Sequence, residues 1–509
     1  MNKEFLPSIL FAILSGLLLV FSYPTFPFSI FAWFALVPLL LAIEGKALWQ
    51  TAQLGFITGL VYFYGILYWL NLLYKFSWLV IPGLILLASY LALYFVVFVV
   101  ILNWLFPKPD TRRLLFSPFL WVSIEYFRQI GYLGFSWGTL GYTQWHNLPL
   151  IQISSITSVL GVSFLIVLVN ASIVYLIQAK HRFTPTRSII PILLGIPILL
   201  IIVFVYGYWQ IQQNTYSTPN KLRVAVIQGN IPQDLKWDEQ LEKEHQEIHF
   251  QLSETVAQQE QPDLIVWPET AITEFLAENP TLISRFKELA KKYQTHFLIG
   301  SPDIETVGDK SRIYTSAFLI DAENGIVKKY DKTALVPFGE YVPLSNQFPF
   351  LKQIIQGPGD FDAGTKYTQF ELYSQTSTKF QFTSVICFES TMSHLVRRFM
   401  VNPADYLAII TNDAWFGKTE APYQHAYMAV FRAIENRTYI VRAANTGYSC
   451  FINPIGKIMS GLNVYQRGFL VNEVQQRKNR TFYTQYGDIF VYLCIIVTLI
   501  LVWLSLRSF

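Results

Sequence analysis

Long apolar runs are the feature that most constrains how this chain can fold. A membrane-spanning helix needs about 20 mostly apolar residues, and runs of this kind recur through the first part of the chain and return near its C-terminus. We predict eight spans, which lie at 5–22, 27–43, 52–74, 78–105, 114–130, 153–178, 189–209 and 487–506. Of the 509 residues, 52% are hydrophobic and only 14% are charged, a balance too apolar for soluble domains alone. The chain is therefore expected to form an eight-helix transmembrane bundle with a soluble part attached.

Basic residues in the short loops predict how this bundle is oriented. With the N-terminus in the cytoplasm, the outside segments hold little beyond Lys75. The inside segments then hold most of the positive charge, namely Lys3, Lys46, Lys108, Arg112, Arg113, Lys180, Arg182, Arg187 and Arg507. Because Lys and Arg are retained on the cytoplasmic side of a membrane, both chain ends are expected inside and the segment between the last two spans outside.

The segment 212–485 is predicted to be a soluble domain of the α/β class. Strand-like apolar runs alternate in it with helical patterns. The runs lie at 222–228, 263–269, 295–301, 382–389, 405–411 and 438–444, and the helical patterns at 237–260, 280–293 and 420–437. Such alternation is typical of a sheet covered by helices. The predicted organisation is a membrane domain at 1–211, a soluble domain at 212–485 and the eighth span at 486–509.

Charge and cysteine content narrow the class of partners. The formal net charge of +4 is small, and no Lys/Arg-rich block with interleaved aromatic residues occurs, so we expect no nucleic-acid partner. The three cysteines, Cys387, Cys450 and Cys494, are too few and too scattered for a disulfide framework. A single bridge between Cys387 and Cys450 stays open if the soluble domain faces an oxidising compartment.

Three predicted strand ends of the soluble domain carry reactive side chains, Glu269, Lys332 and Cys387. Catalytic residues of α/β domains commonly lie at such ends. A cysteine attacks as the thiolate, so Cys387 is the candidate nucleophile. Glu269, in an apolar context, is the candidate base that takes the thiol proton and later returns it. Lys332 is the candidate cation that stabilises the thiolate and then the oxyanion of a tetrahedral intermediate.

Each of these residues by itself has an ordinary structural explanation. A glutamate at a strand end is usually solvated, a lysine after a strand usually marks the surface, and a cysteine in an apolar strand usually belongs to the core. Their occurrence together, in the segments "WPET", "YDKTALVPFGEYVP" and "ICFES", favours the catalytic interpretation over the three separate ones.

These segments resemble the nitrilase, or carbon-nitrogen hydrolase, superfamily. The resemblance implies a four-layered α-β-β-α sandwich and assigns Glu269, Lys332 and Cys387 to a catalytic triad. A nitrilase-like domain inserted before the last of eight spans further resembles the apolipoprotein N-acyltransferase family, across essentially the whole chain. The supporting stretches are "QGNIPQDLKW", "PFGEYVP", "ITNDAWFG", "RAANTGYS" and, in the membrane half, "GFSWGTLGYTQ".

The resemblance also implies supporting residues. Glu340 corresponds to a second glutamate that positions the lysine. Phe388 and Glu389 occupy positions where the family shapes the acyl site and offers a backbone N–H to the oxyanion. Trp237 and Trp415 match family tryptophans near the mouth of the cavity, although aromatic packing or anchoring at the membrane interface explains them equally well.

Two positions depart from the family pattern. Thr315 stands where the family often has asparagine, and Phe388 stands where it often has tyrosine. Both substitutions concern contacts to the substrate rather than the triad.

The activity implied by the resemblance is transfer of an acyl chain from a phospholipid to an apolipoprotein. The donor ester is expected at sn-1 of phosphatidylethanolamine, and the acceptor is the α-amine of an N-terminal S-diacylglyceryl-cysteine. The implied setting is the bacterial inner membrane, multi-pass, with the catalytic domain in the periplasm, no metal or cofactor, and a monomeric enzyme. A membrane-tethered amidase with the same triad is the alternative, and a catalytically silent lipid-binding protein would need no intact triad.

Two further patterns concern charged side chains outside the triad. His245 and His249 lie one helical turn apart, as two metal ligands would, but no third ligand is evident and we predict no metal site. Glu125 and Arg128 lie one turn apart within the fifth predicted span. Charged residues in lipid are costly, so this pair is either a functional site or, as we favour, a structural ion pair.

Overall fold

The protein is described here by a computed structural model. It describes residues 5–24, 26–107, 111–181, 189–214, 220–308, 310–343, 345, 347 and 360–507. The chain divides into two compact units, one formed by Met1–Gln213 with Tyr486–Phe509 and the other by Asn214–Gln485. Of the basic residues used to predict orientation, Lys3, Lys108, Arg182 and Arg187 lie outside the described residues, as does the side chain of Lys180.

The regular secondary structure in the described residues of the first unit is all helical. Its α-helices are α1 Leu6–Ser22, α2 Val37–Ala42, α3 Leu48–Ile66, α4 Val80–Leu105, α5 Thr111–Gln129, α6 Leu148–Ile151, α7 Ser154–Thr157, α8 Val159–His181 and α9 Ile189–Gln213, and, from the C-terminus of the chain, Ile489–Arg507. Short 3-10 turns at Ser29–Trp33, Tyr68–Lys75 and Leu140–Gln144 interrupt this series.

Fewer helices than predicted are long and apolar enough to cross a membrane. Among the described residues four qualify, Val80–Leu105, Val159–Ala179, Leu194–Gln213 and Ile489–Arg507, and a fifth if Leu48–Ile66 and Tyr68–Lys75 form one span bent by 55°. The remaining predicted spans fall on shorter apolar helices or on α5, which contains Pro118 and four charged side chains, Arg112, Arg113, Glu125 and Arg128. At 27–43 the difference arises because a 3-10 turn, Ser29–Trp33, divides the apolar run before α2. Helix α1 is unbroken, but it has only 17 residues.

Glu125 and Arg128 form a buried ion pair in α5, at 3.7 Å. The pair also binds the loop that follows the helix: Arg128 donates to the Phe135 carbonyl at 2.9 Å, and Glu125 accepts from the Leu140 N–H at 2.8 Å. These contacts give the pair the structural role that we favoured from the sequence.

The second unit is built on two sheets. Its described residues form twelve strands, β1 Lys221–Gln228, β2 Leu264–Val266, β3 His296–Val307, β4 Lys310–Asp321, β5 Gly325–Asp331, β6 Gln369–Tyr373, β7 Lys379–Ile386, β8 Tyr406–Thr411, β9 Tyr439–Ala444, β10 Ser449–Ile452, β11 Ile458–Leu462 and β12 Gly468–Gln475. In these residues one six-stranded sheet has the order β12-β1-β2-β3-β4-β5 and the other the order β11-β10-β9-β8-β7-β6. The central strands β1, β2 and β3 are parallel, as are β7, β8 and β9, and the outer pairs are antiparallel.

Helices cover the outer face of each sheet. Helices α10 Glu242–Glu260 and α11 Pro280–Tyr293 pack on the first sheet, and α12 Ser393–Met400 and α13 Ala421–Asn436 pack on the second. A short helix, α14 Phe482–Tyr486, precedes the C-terminal helix, α15 Ile489–Arg507. The sheets contact each other through β1 and β9. Strand β8 lies at the centre of the second sheet and is covered on both faces, so all six of its residues are buried and all but Thr411 are apolar. The predicted nitrilase-like α-β-β-α sandwich is confirmed.

Candidate active site

Glu269 is held in place by the residues that precede it. Trp267 is fully buried in an aromatic core between the first sheet and its helices, and its indole N–H donates to the Ser253 hydroxyl at 2.8 Å. Strand β3 approaches so closely that a Cβ atom at Gly300 would lie 2.4 Å from the Pro268 carbonyl oxygen, so only glycine fits there. Glu269 therefore leaves the core from a segment with little freedom to shift.

Lys332 lies between two carboxylates. Its Nζ is 3.2 Å from Glu269 Oε1 and 2.6 Å from Glu340 Oε1, and its side chain is fully buried. Burial by itself would lower the pKa of Lys332, but the Glu340 and Glu269 charges outweigh that effect and hold the pKa well above its ordinary value. Lys332 is therefore a fixed cation of the site.

Backbone N–H groups bind the second oxygen of each carboxylate. Glu269 Oε2 accepts from the Asn412 N–H at 2.8 Å, and Glu340 Oε2 accepts from the Val336 N–H at 2.8 Å. Burial raises the pKa of Glu340, and Lys332 opposes that rise. The two glutamates are thus oriented by the loops after β5 and β8 and not by the lysine alone.

Cys387 begins a 3-10 turn, Cys387–Thr391, directly after β7. Its φ of 53° lies in the left-handed region, which costs an L-residue about 1–2 kcal/mol. Cys387 as a residue is partly exposed. Burial of its thiol and the Glu269 charge raise the thiol pKa, and the Lys332 charge opposes that shift. At neutral pH Cys387 is therefore a protonated thiol, which needs a base to take its proton as it attacks.

Glu389 joins the cysteine turn to the loop after β5. It is fully buried, and its Oε1 accepts hydrogen bonds from the Tyr330 hydroxyl at 2.6 Å and from the N–H groups of Thr333 at 2.8 Å and Ala334 at 3.0 Å. Its Oε2 accepts from the Ile386 N–H at 2.7 Å. Both carboxylate oxygens of Glu389 therefore act as acceptors, because all of these neighbours donate.

Lys236 supplies a second buried cation. Its side chain is almost fully buried, and its Nζ donates to the backbone carbonyl of Glu269 at 3.1 Å. Burial lowers the pKa of Lys236 to about 8, with the Glu269 and Cys387 charges opposing the shift. When Lys236, Lys332, Glu269 and Glu340 are all ionised, the two positive and two negative charges balance.

The supporting aromatic residues are less closely connected to this cluster. Phe388 is buried beside the nucleophile. Trp237 follows Lys236 in the chain and is 50% exposed, and Trp415 is partly exposed in the turn Asp413–Phe416 after β8. Thr315 is buried in β4, and its carbonyl oxygen accepts the Lys332 backbone N–H at 2.9 Å. This position therefore contacts the triad lysine, contrary to the expectation that it concerns substrate contacts rather than the triad.

The histidine pair on α10 has contacts of its own. His249 bonds the His245 carbonyl through Nδ1 at 2.8 Å and packs its ring against Trp267 at 5.0 Å. No group of three or more His, Cys, Asp and Glu side chains capable of holding a metal occurs within the described part of the chain.

Comparison with known proteins places the whole chain in one family. The family model for the apolipoprotein N-acyltransferase N-terminal domain matches residues 15–172, and that for carbon-nitrogen hydrolase matches residues 223–482. An apolipoprotein N-acyltransferase of Geobacter metallireducens is 38% identical over 506 residues, covering 98% of this chain and 95% of that protein. The chain belongs to the apolipoprotein N-acyltransferase family. A relative of the same name in Chlorobaculum tepidum is 30% identical over 95% of this chain and 93% of its own length.

About half of this chain resembles solved structures of nitrilase-superfamily proteins and amidases. Nit3 of Saccharomyces cerevisiae, a nitrilase-superfamily protein, is 16% identical with a TM-score of 0.38, over 50% of this chain and 90% of that one. An amidase from Nesterenkonia sp. is 17% identical with a TM-score of 0.37, over 53% of this chain and 95% of that one.

The sequence interpretation missed several buried polar residues around the candidate active site. Lys236 and Asn412 both lie in stretches that carried the family resemblance, but neither was assigned a role. A lysine in a short polar loop gives the same local signal whether it is solvated or buried. The contact of Asn412 with Glu269 joins positions 143 residues apart, so no local pattern could have revealed it.

Proposed function

We propose that this chain transfers an acyl chain from a phospholipid, through a thioester on Cys387, to the α-amine of an N-terminal S-diacylglyceryl-cysteine. The observation that carries the proposal is the buried cluster of Glu269, Lys332 and Glu340, with the thiol of the partly exposed residue Cys387 close enough to feel the Glu269 and Lys332 charges. The chain also has several apolar helices of spanning length. Thiol, base and fixed cation are the groups that a two-step acyl transfer requires.

In the first step the Cys387 sulfur attacks the sn-1 ester carbonyl of the donor, for which we propose phosphatidylethanolamine. Glu269 takes the thiol proton, and Lys332 with the Phe388 backbone N–H stabilises the oxyanion. The C–O bond to glycerol then breaks, Glu269 returns the proton to the leaving oxygen, and lysophospholipid departs. The acyl chain remains on sulfur as a thioester.

In the second step the neutral α-amine of the apolipoprotein attacks the thioester carbonyl. Glu269 accepts a proton from the nitrogen, the C–S bond breaks, and the proton passes to the leaving thiolate. The products are the amide and free Cys387, so the cycle is ping-pong and calls for no metal or cofactor. Trp237, Trp415 and Phe388 are proposed to contact the lipid chains or head groups, and Glu340 and Glu389 to hold the lysine and the cysteine turn.

The location follows from the substrates and from the loop charges. We propose a monomer with eight spans in the bacterial inner membrane and a catalytic domain, 212–485, in the periplasm. Both substrates are lipid-anchored, so tethering raises their effective concentration at the site. A hydrolase of soluble amides would gain nothing from such an anchor.

The test is to incubate the full-length protein in detergent with acyl-labelled phosphatidylethanolamine. We expect a label on the protein that hydroxylamine removes. The label should be absent from Cys387→Ala and present in Cys494→Ala, a matched loss of a buried thiol in the C-terminal helix. A label that persists in Cys387→Ala, or no label on the wild type, would contradict the thioester.

A second arm separates acyl transfer from the alternative amidase activity. The labelled protein is given a synthetic diacylglyceryl-cysteine peptide with a free α-amine or, as the control, the same peptide acetylated on that amine. Transfer of label to the free amine alone supports the proposal. Release of the label as free fatty acid at the same rate with either peptide would support a membrane-tethered hydrolase.

A further inference from the structure

Two buried donors converge on the backbone carbonyl of the proposed nucleophile. The Ser390 hydroxyl donates to the Cys387 carbonyl oxygen at 2.8 Å, and His425 Nε2 lies 3.1 Å from the same oxygen. His425 belongs to α13 and is 1% exposed. The triad mechanism uses neither side chain.

The contacts on one side of the His425 ring require a proton on Nε2. A carbonyl oxygen can only accept, and Ser390 already donates to it, so Nε2 must be the donor both to the Cys387 carbonyl and to the Ser390 oxygen 2.9 Å away. On the other side of the ring, Nδ1 lies 3.0 Å from Asp413 Oδ1 and 3.2 Å from Arg442 Nη2.

The ring is in turn fixed by a buried ion pair. Arg442 Nη2 is 2.8 Å from Asp413 Oδ2, and both side chains are fully buried. The backbone approaches so closely here that a Cβ atom at Gly447 would lie 2.2 Å from Asp413 Oδ2. His425 therefore reaches the nucleophile from a rigid support formed by β9 and by the turn after β8.

Holding this carbonyl also orients the next N–H. A trans peptide unit is planar, with its C=O and N–H pointing in opposite directions. The Cys387 carbonyl and the Phe388 N–H belong to one peptide unit, so a donor that fixes the carbonyl fixes the direction of that N–H. The left-handed φ of Cys387, 53°, is the kind of backbone state that persists only where neighbouring groups enforce it.

We propose that His425 is a positioning residue that, with Ser390, aims the Phe388 N–H at the oxyanion formed on the acyl carbonyl. The inference rests on the proposed acyl transfer, because it concerns a step of that reaction. Asp413 and Arg442 hold the ring in the orientation that this role requires.

Two amide variants of His425 separate this role from general support of the fold. In His425→Gln the side-chain amide nitrogen lies as many bonds from Cα as Nε2 does and can still donate to the Cys387 carbonyl. In His425→Asn the shorter amide reaches only the Nδ1 position and Asp413. Both variants lose the imidazole, so they are matched controls for each other.

The experiment measures two rates on each full-length variant. One is single-turnover acylation of the protein by labelled phosphatidylethanolamine, which passes through an oxyanion. The other is alkylation of Cys387 by iodoacetamide, which displaces iodide without forming one, with Cys387→Ala as the background for the other cysteines. Loss of one oxyanion donor costs roughly 10²–10³-fold in rate, so we expect His425→Asn to acylate at least about tenfold more slowly while alkylation stays within about threefold.

This experiment can fail separately from the proposed function. Acylation of the wild type tests the proposed function, whereas the difference between the two His425 variants tests the role of His425. The inference is supported if His425→Gln retains most of the wild-type acylation rate and His425→Asn loses it, at similar unfolding temperatures. It is overturned if the two variants acylate equally. It is also overturned if acylation and alkylation decline together in His425→Asn, because a joint decline would mean that the thiol itself had moved.

Discussion

Replacing Lys332 by methionine should reveal how strongly the site depends on its fixed cation. Methionine keeps the unbranched apolar stem, one atom shorter, but removes the charge that lies 3.2 Å from Glu269 and 2.6 Å from Glu340. The exposed fractions of the three side chains are 0% for Lys332, 8% for Glu269 and 16% for Glu340. Water therefore cannot take over the role of the ammonium, and two buried carboxylates are left facing an apolar group.

The expected cost follows from this burial. Removing one partner of a buried ion pair destabilises a protein by about 3–5 kcal/mol, because the remaining charge is uncompensated. For a domain of this size that corresponds to a decrease of roughly 6–20 °C in the unfolding midpoint. An exposed pair is worth at most about 1 kcal/mol, so Lys221→Met is the matched control: Lys221 lies 2.7 Å from Glu473, with side chains 44% and 45% exposed.

The loss of stability should depend on pH. Burial already raises the pKa of Glu340 in the presence of the lysine, and removing the lysine raises it further. A carboxyl group whose pKa is higher in the folded than in the unfolded state destabilises the fold by the full amount above the folded-state pKa. The penalty shrinks as pH falls below that pKa and is gone only below the unfolded-state pKa, about 4.3 for glutamate. Lys332→Met should therefore be much less stable than the wild type at pH 8 and closer to it at pH 5.

The assay is thermal unfolding of the full-length protein in detergent, followed by tryptophan fluorescence at both pH values. Lys332→Met/Glu340→Gln should recover part of the lost stability, because one of the two stranded charges is gone, and should still fail to form the acyl-enzyme. Equal destabilisation at pH 5 and pH 8, or a loss no larger than that of Lys221→Met, would refute the reasoning.

Two other residues give sharp expectations. Glu389→Gln should destabilise the protein by about 1–3 kcal/mol and slow acylation. The single amide oxygen cannot accept from the Ile386 and Thr333 N–H groups at once, so one buried N–H is left without an acceptor. Urea unfolding measures the loss of stability, and unchanged stability would remove Glu389 from its bridging role. The acylation half-reaction should slow as pH rises through about 8, the pKa of Lys236. Above this pH the Lys236 cation near the forming thiolate is lost, while the raised pKa of Cys387 keeps its thiol protonated. Lys236→Arg should keep its rate to higher pH, and an identical decline in that variant would exclude Lys236 as the titrating group.

Much of the soluble fold could be predicted from local patterns. The helix predicted at 280–293 is found at Pro280–Tyr293, and the strand predicted at 405–411 is found at Tyr406–Thr411. These predictions succeeded because a helix or a central strand repeats its burial over a few residues, so a short window contains the signal. The membrane half was harder, because an apolar run looks the same whether it is one long helix or, as at 27–43, a 3-10 turn followed by a short helix.

By itself the sequence determined the two-part organisation and the residues of the candidate triad, because both depend on which side chains occur and in what order. Only the tertiary structure decided how those residues are held. Lys236 is buried against Glu269, and His425 reaches the carbonyl of Cys387, through contacts between segments far apart in the chain. The local sequence around a lysine or a histidine does not state whether water or another chain segment surrounds it. The pKa values and orientations of the site depend on that difference, because burial and the placement of neighbouring charges set them.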